Sequence, residues 1–104
     1  MAPIQNPWYT KTPEIRNYLR LSHGDSDDEI RDLIGAACAD LALCGIVPAK
    51  LYDTDDQLIQ RAIVLYVKAE FGLDNPDSEK YRNSYDLLKT HLMLSNEYII
   101  ESDE

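Results

Sequence analysis

The run Gln57-Leu-Ile-Gln-Arg-Ala-Ile-Val-Leu-Tyr-Val-Lys-Ala-Glu-Phe-Gly72 decides the fold. At about 100° per residue, Leu58, Ile59, Ala62, Ile63, Leu65, Tyr66, Val67 and Ala69 sweep roughly 200° of a helix surface, leaving Gln57, Arg61 and Lys68 on the remainder. An ordinary surface helix needs an apolar stripe only about 100° wide, so this helix is expected to lie buried between neighbours. Thr54-x-x-Gln57 reads as a capping box, with Asp55 and Asp56 beside the positive end of the helix dipole. Gly72 can take the left-handed turn that ends helices.

Towards the N-terminus, Ile46-Val-Pro-Ala-Lys-Leu-Tyr52 is short and interrupted by proline, which predicts an apolar loop or short strand. Before it, Ile30, Leu33, Ile34, Ala37, Cys38 and Leu41 repeat at three and four and predict a helix. Ser26-x-x-Glu29 is its capping box and Gly45 its stop. Thr12-Pro13-Glu14 opens the first helix with a cap, a proline at the first position and an acid in the first turn. Ile15, Tyr18 and Leu19 are its expected inner face. Residues 1–11 carry Pro3 and Pro7, which favour an extended arm. Either this arm stays mobile, as termini usually do, or it docks the lone Trp8 on the body or on a neighbouring subunit.

Towards the C-terminus, Asn75-Pro76 with Asp77 and Glu79 starts the fourth helix, whose inward line is Tyr81, Tyr85, Leu88 and Leu92. The predicted fold is therefore all-α: one domain of four helices near 13–21, 27–44, 55–71 and 76–93. An extended arm precedes them and a short acidic tail, residues 95–104, follows.

Composition narrows the function. The chain has 104 residues, 44% of them hydrophobic, with seven tyrosines, as expected of a packed fold. Nineteen acidic residues against ten basic ones give −9, which disfavours phosphate-led nucleic-acid binding and anionic membranes. No stretch approaches the ~20 apolar residues of a membrane span, and the start does not read as a signal peptide. The protein is expected to be made in the cytoplasm. Cys38 and Cys44 fall on one helix roughly 9 Å apart along its axis, too far to bridge, and read as packing thiols of a reducing compartment.

Ten of the nineteen acids sit in three groups, residues 25–29, 53–56 and 74–79. Asp25-Ser-Asp27-Asp28-Glu29 invites a calcium reading, but a calcium loop needs glycine at its sixth position and glutamate at its twelfth. Here those are Ile30 and Ala36, and carboxylates are expected before helices anyway. His23 and His91 have no ligand-spaced partner. There is no phosphate loop or nucleophile elbow, so neither an enzyme nor a metal or cofactor site is expected. The bases look scattered, tracing no nucleic-acid backbone. Spare apolar surface remains: Val64, Val67 and Phe71 form a second line on the central helix, while Trp8, Tyr9, Tyr98, Ile99 and Ile100 lie at the chain ends. These eight are the candidate contacts to other copies or partners, the alternative being that they fill one core.

The run Leu58-Ile-x-Arg61-Ala62-Ile63-x-Leu65-Tyr66-x-Lys68-Ala69-x-Phe71-Gly72 resembles the second half of the small head–tail connector proteins of tailed phages, often labelled phage DNA-packaging proteins. So does Asp74-Asn75-Pro76-Asp77-x-Glu79-Lys80-Tyr81-x-x-Ser84-Tyr85-x-x-Leu88-Lys89-x-His91-Leu92-x-Leu94-Ser95-x-Glu97-Tyr98. Tyr18-Leu19-Arg20-Leu21, with the acid-rich start of the second helix, resembles their first half. The likeness runs from Thr12 to about Tyr98. It implies a virion protein at the head–tail interface: a ring, commonly twelvefold, below the portal, extending the DNA channel and docking the next head-completion or tail protein. DNA would pass without sequence-specific binding, and an acidic lumen suits sliding phosphate. Ring closure requires one patch on each subunit to meet a different patch on the next. The alternative is a small acidic helical regulator that binds a host protein or DNA, against which the charge argues where DNA is concerned.

Overall fold

The computed structural model describes residues 6–21, 26–72 and 75–100. These form helices α1 (Thr12–Tyr18), α2 (Asp27–Leu43), α3 (Pro48–Leu51), α4 (Gln57–Glu70), α5 (Ser78–Met93) and α6 (Asn96–Ile99), preceded by a 3-10 turn at Pro7–Lys11. No strand occurs among the described residues. The four long segments are the four helices expected from periodicity, and the fold is all-α.

Helix α4 lies between α2 and α5. It buries Ile59, Ala62, Ile63, Val64, Leu65, Val67 and Ala69, each large side chain worth about 2 kcal/mol relative to exposure. Against it pack Ile30, Ile34, Ala37, Cys38 and Leu41 of α2 and Tyr85 and Leu92 of α5. Two residues depart from the expected inner faces: Leu58 is 45% exposed and Tyr18 is 49% exposed.

The starts of the helices depart from the capping-box readings. Helix α4 begins at Gln57 with Asp56 as its cap, the Asp56 carboxylate accepting from the Leu58 and Ile59 amides at 3.0 and 3.1 Å. Thr54 lies in the preceding turn; the acid two residues later is nearer the free amides and accepts more strongly than a hydroxyl. At α2, Ser26 makes no side-chain cap and Glu29 reaches away, accepting from the Gly72 amide at 3.2 Å. Asn75 and Pro76 form a turn before α5, which starts at Ser78. The Asn75 amide nitrogen donates to the Lys68 carbonyl at 2.7 Å, and the Ser78 hydroxyl to the Ala69 carbonyl at 2.5 Å. Side chains opening α5 thus satisfy carbonyls left free at the end of α4.

Helix ends follow the left-handed turn. Gly45 has φ 97° and closes α2, with the Gly45 amide on the Ala42 carbonyl and the Ile46 amide on the Leu41 carbonyl. Helix α1 ends the same way without a glycine: Arg20 has φ 63°, its amide on the Asn17 carbonyl and the Leu21 amide on the Arg16 carbonyl. That places the end of α1 at Tyr18, earlier than the expected residue 21.

The expected loop or strand after α2 is instead one helical turn, α3. Pro48 occupies its first position, where the missing N–H costs nothing, and Leu51 is buried. Nor are residues 7–11 an extended arm. Asn6 accepts from the Trp8 amide at 2.9 Å, and Pro7 starts the 3-10 turn for the same reason Pro48 starts α3. In the tail, residues 96–99 form one helical turn; residues 1–5 and 101–104 lie outside the described residues.

Candidate functional site

The eight residues selected as contacts separate by burial. Trp8 and Val67 are fully buried within the subunit, Tyr98 and Val64 nearly so. Their surfaces are spent on the chain's own core. Tyr9, Phe71 and Ile99 pack half-buried against it, and Ile100 is 60% exposed.

Both chain ends fasten the same stretch, the segment that leads from α2 into α4. From the N-terminal side, the Trp8 indole N–H donates to the Leu51 carbonyl at 2.6 Å. From the C-terminal side, the Val47 amide donates to the Tyr98 carbonyl at 2.8 Å, and Lys50 pairs with Glu97 at 3.0 Å. The Tyr98 hydroxyl donates to the carboxylate of Asp56, the residue that caps α4. Burial, and then this bond, push the Tyr98 hydroxyl up to about 12. Close approach at the N-terminal end explains Gly35, which sits inside a helix: a Cβ there would lie 2.9 Å from the Tyr9 hydroxyl.

A second polar cluster ties α2 to α5. The Tyr85 hydroxyl and the Lys89 ammonium donate to one Asp40 oxygen, at 2.5 and 3.0 Å. Burial raises the Asp40 carboxyl, but these two bonds outweigh it and hold the group below its ordinary range. Tyr85 moves upward, from burial first and from Asp40 second. Its hydroxyl stays protonated as a donor, a structural tie rather than a proton relay. Arg16 and Asp27 join α1 to α2 through two parallel bonds of 3.0 Å, which lower the Asp27 carboxyl.

Surface features remain. Large apolar side chains stand exposed at Leu43 (87%), Leu94 (79%), Leu87, Met93 and Ile100. Four of these lie at or just beyond the C-terminal ends of α2, α5 and α6, and Leu87 lies seven residues before Leu94 on α5.

The second feature is a groove of about 390 Å³ lined by Tyr18, Leu58, Val64 and Tyr81 with the cations Arg61, Lys68 and Lys80. A neighbouring hollow of about 430 Å³ shares Tyr18, Lys68 and Tyr81 and adds Arg20 and Phe71. Lys11, Arg16, Arg31, Lys50, Arg82 and Lys89 pair with described carboxylates. Arg20, Arg61, Lys68 and Lys80 line these hollows. Four of the ten bases thus gather around these hollows once folded, where the sequence reading has all ten scattered. Arg61 and Lys68 stand seven apart on α4, a signal already present in its polar stripe, but Lys80 joins them only through the packing of α5.

Among the described residues no cluster of three or more His, Cys, Asp or Glu side chains is placed to hold a metal ion. Asp25 and His23 lie outside them, and His91 is exposed on α5. Cys38 is buried and Cys44 half-buried; burial raises the Cys38 thiol. No described helix is long and apolar enough to cross a membrane.

Comparison with protein families matches residues 13–99 to the model described as phage connector protein. No curated protein and no solved structure matches the chain. The matched stretch begins within α1 and ends at the last residue of α6, taking in the α2–α4–α5 core and the Tyr98–Asp56 tie. This chain belongs to the phage connector protein family.

Proposed function

We propose that the protein is a structural subunit of the head–tail junction of a tailed phage, assembling as a ring, commonly twelvefold in this kind of protein, below the portal. In this reading the ring extends the DNA channel and presents a platform to the next head-completion or tail protein. The family match over 13–99 carries the proposal.

Exposed apolar residues support it. Leu43, Leu94 and Ile100 leave large apolar side chains available for contact, and a ring covers one surface of each subunit with a different surface of the next copy. The net charge of −9 supports passage rather than capture of DNA, because an acidic wall repels phosphate. Its role is assembly rather than catalysis, DNA passes without sequence readout, and the mature location is the virion.

The test is a phage lacking this protein. Filled heads that fail to acquire tails, or that lose their genome, are the expected product. Infectious, tailed particles made without it would refute the proposal.

A further inference from the structure

Arg20 stands at φ 63° just beyond α1, where a glycine is at ease and an arginine is strained. It lines one hollow beside Lys68, and the neighbouring hollow adds Arg61 and Lys80. The two hollows share Tyr18, Lys68 and Tyr81 and so make one trough. Asp77 is the one carboxylate among the described residues that line it. Arg61 and Lys68 lie seven residues apart on one side of α4, about 10.5 Å along its axis. The Lys68 and Lys80 ammonium groups stand 5.1 and 5.8 Å from the centroid of the Tyr81 ring. Tyr18, 49% exposed, leaves about half its surface open where the two hollows meet.

A row of cations with aromatic rings set among them is the arrangement that holds single-stranded nucleic acid: the cations follow the phosphates and the rings stack with bases. We infer that the trough binds a short single strand, its phosphates along Arg61, Lys68, Lys80 and Arg20 and a base on Tyr18. About three nucleotides cover the distance from Arg61 to Lys68, at roughly 3.4 Å per phosphate of a stacked strand. A duplex complements the same cations less well. Its bases are already stacked on one another, so Tyr18 gains nothing, and its second strand meets the acidic remainder of the surface. An acidic peptide supplies anions without the π faces that Tyr18 can stack on. The net charge of −9 does not forbid the contact. At 0.15 M salt, exposed charges more than about 8 Å away are largely screened, so the trough's own cations govern it. With so few cations, and Asp77 among them, the binding is weak, with a dissociation constant on the order of 10⁻⁴ M.

Titrating a thymidine oligonucleotide into the full-length chain labelled with nitrogen-15 tests it. The amides of Tyr18, Lys68 and Tyr81 are expected to shift. The logarithm of the affinity should fall with the logarithm of salt concentration at a slope of about −2 to −3, roughly −0.7 for each phosphate held. Tyr18→Ala should weaken binding about tenfold through the lost stacking. Arg20→Gly is expected to melt at a higher temperature yet bind on the order of threefold more weakly, a combination that loss of folding does not produce. The triple change R61E, K68E and K80E should abolish the shifts, with circular dichroism verifying its helix content. No shift at millimolar oligonucleotide overturns the inference. So does a polyglutamate peptide of the same charge that shifts the same amides as strongly, or a duplex that binds as tightly as the single strand. An Arg20→Gly chain that melts higher and binds as well as the wild type also overturns it. The measurement uses the free subunit, so its failure leaves the connector reading standing.

Discussion

Tyr98, near the C-terminal end, hydrogen-bonds both carboxylate oxygens of Asp56, at 3.1 and 2.9 Å, while Asp56 itself caps the central helix. One acid therefore starts α4 and anchors the helical turn α6. Replacing Tyr98 with Phe removes a bond to a charged acceptor, and we expect a loss of about 1.5–3 kcal/mol. Asp56→Ala loses the cap as well, about 1 kcal/mol more. In a double-mutant cycle by urea denaturation the two changes should couple by more than 0.5 kcal/mol; simple additivity would mean the tie does not hold the end in place.

The same pair sets an alkaline limit. Folded Tyr98 titrates at about 12, against about 10 in the unfolded chain. The raised value means its contribution is fully present below pH 10 and lost as pH climbs through 12. The stability advantage of wild type over Tyr98→Phe should shrink across that window. Tyr85, also raised, is common to both proteins and drops out of the comparison.

Trp8 is buried completely and bonded to the Leu51 carbonyl. Trp8→Ala should cost about 3–5 kcal/mol, as expected for a core aromatic. Trp8→Phe keeps most of the bulk but leaves the carbonyl short of a donor, about 1–2 kcal/mol. Thermal unfolding distinguishes these from a mobile arm, for which both changes would be silent.

Arg20 sits at φ 63°, where a glycine is at ease. Arg20→Gly should stabilise the protein by about 0.5–1 kcal/mol, read as a higher melting temperature. A decrease would mean the arginine side chain contributes more than its backbone strain.

Leu43 and Leu94 are largely exposed, so Leu43→Glu and Leu94→Glu should leave monomer stability within about 0.5 kcal/mol. Both should abolish assembly on the portal. Electron micrographs of portal mixed with each variant check this.

The long helices were legible because the 3.6-residue repeat of Ile59, Ala62, Ile63, Val67 and of Ile30, Ile34, Ala37, Leu41 is a local signal. Helix starts were harder. Thr54 and Asp56 both suit a cap, and only the fold shows which side-chain oxygen reaches the amides. Pro48 reads locally as an interruption although Pro13 reads as a start, yet both occupy the first turn of a helix. The fastening of both ends to 47–56 could not be read, because Trp8–Leu51 and Tyr98–Asp56 are pairings across more than forty residues. Sequence placed Trp8 and Tyr98 among large side chains that must be covered; it did not say that the chain covers them itself. The basic groove stayed hidden for a related reason: two of its cations share a face of α4, and the third arrives with α5.

The most direct measurement is the mass and symmetry of the complex this protein forms with the portal, by native mass spectrometry and electron cryomicroscopy. A closed ring coaxial with the portal, with one copy per portal subunit and an open central channel, is the predicted result. Monomers that leave the portal bare, or a single copy bound off the axis, would contradict it.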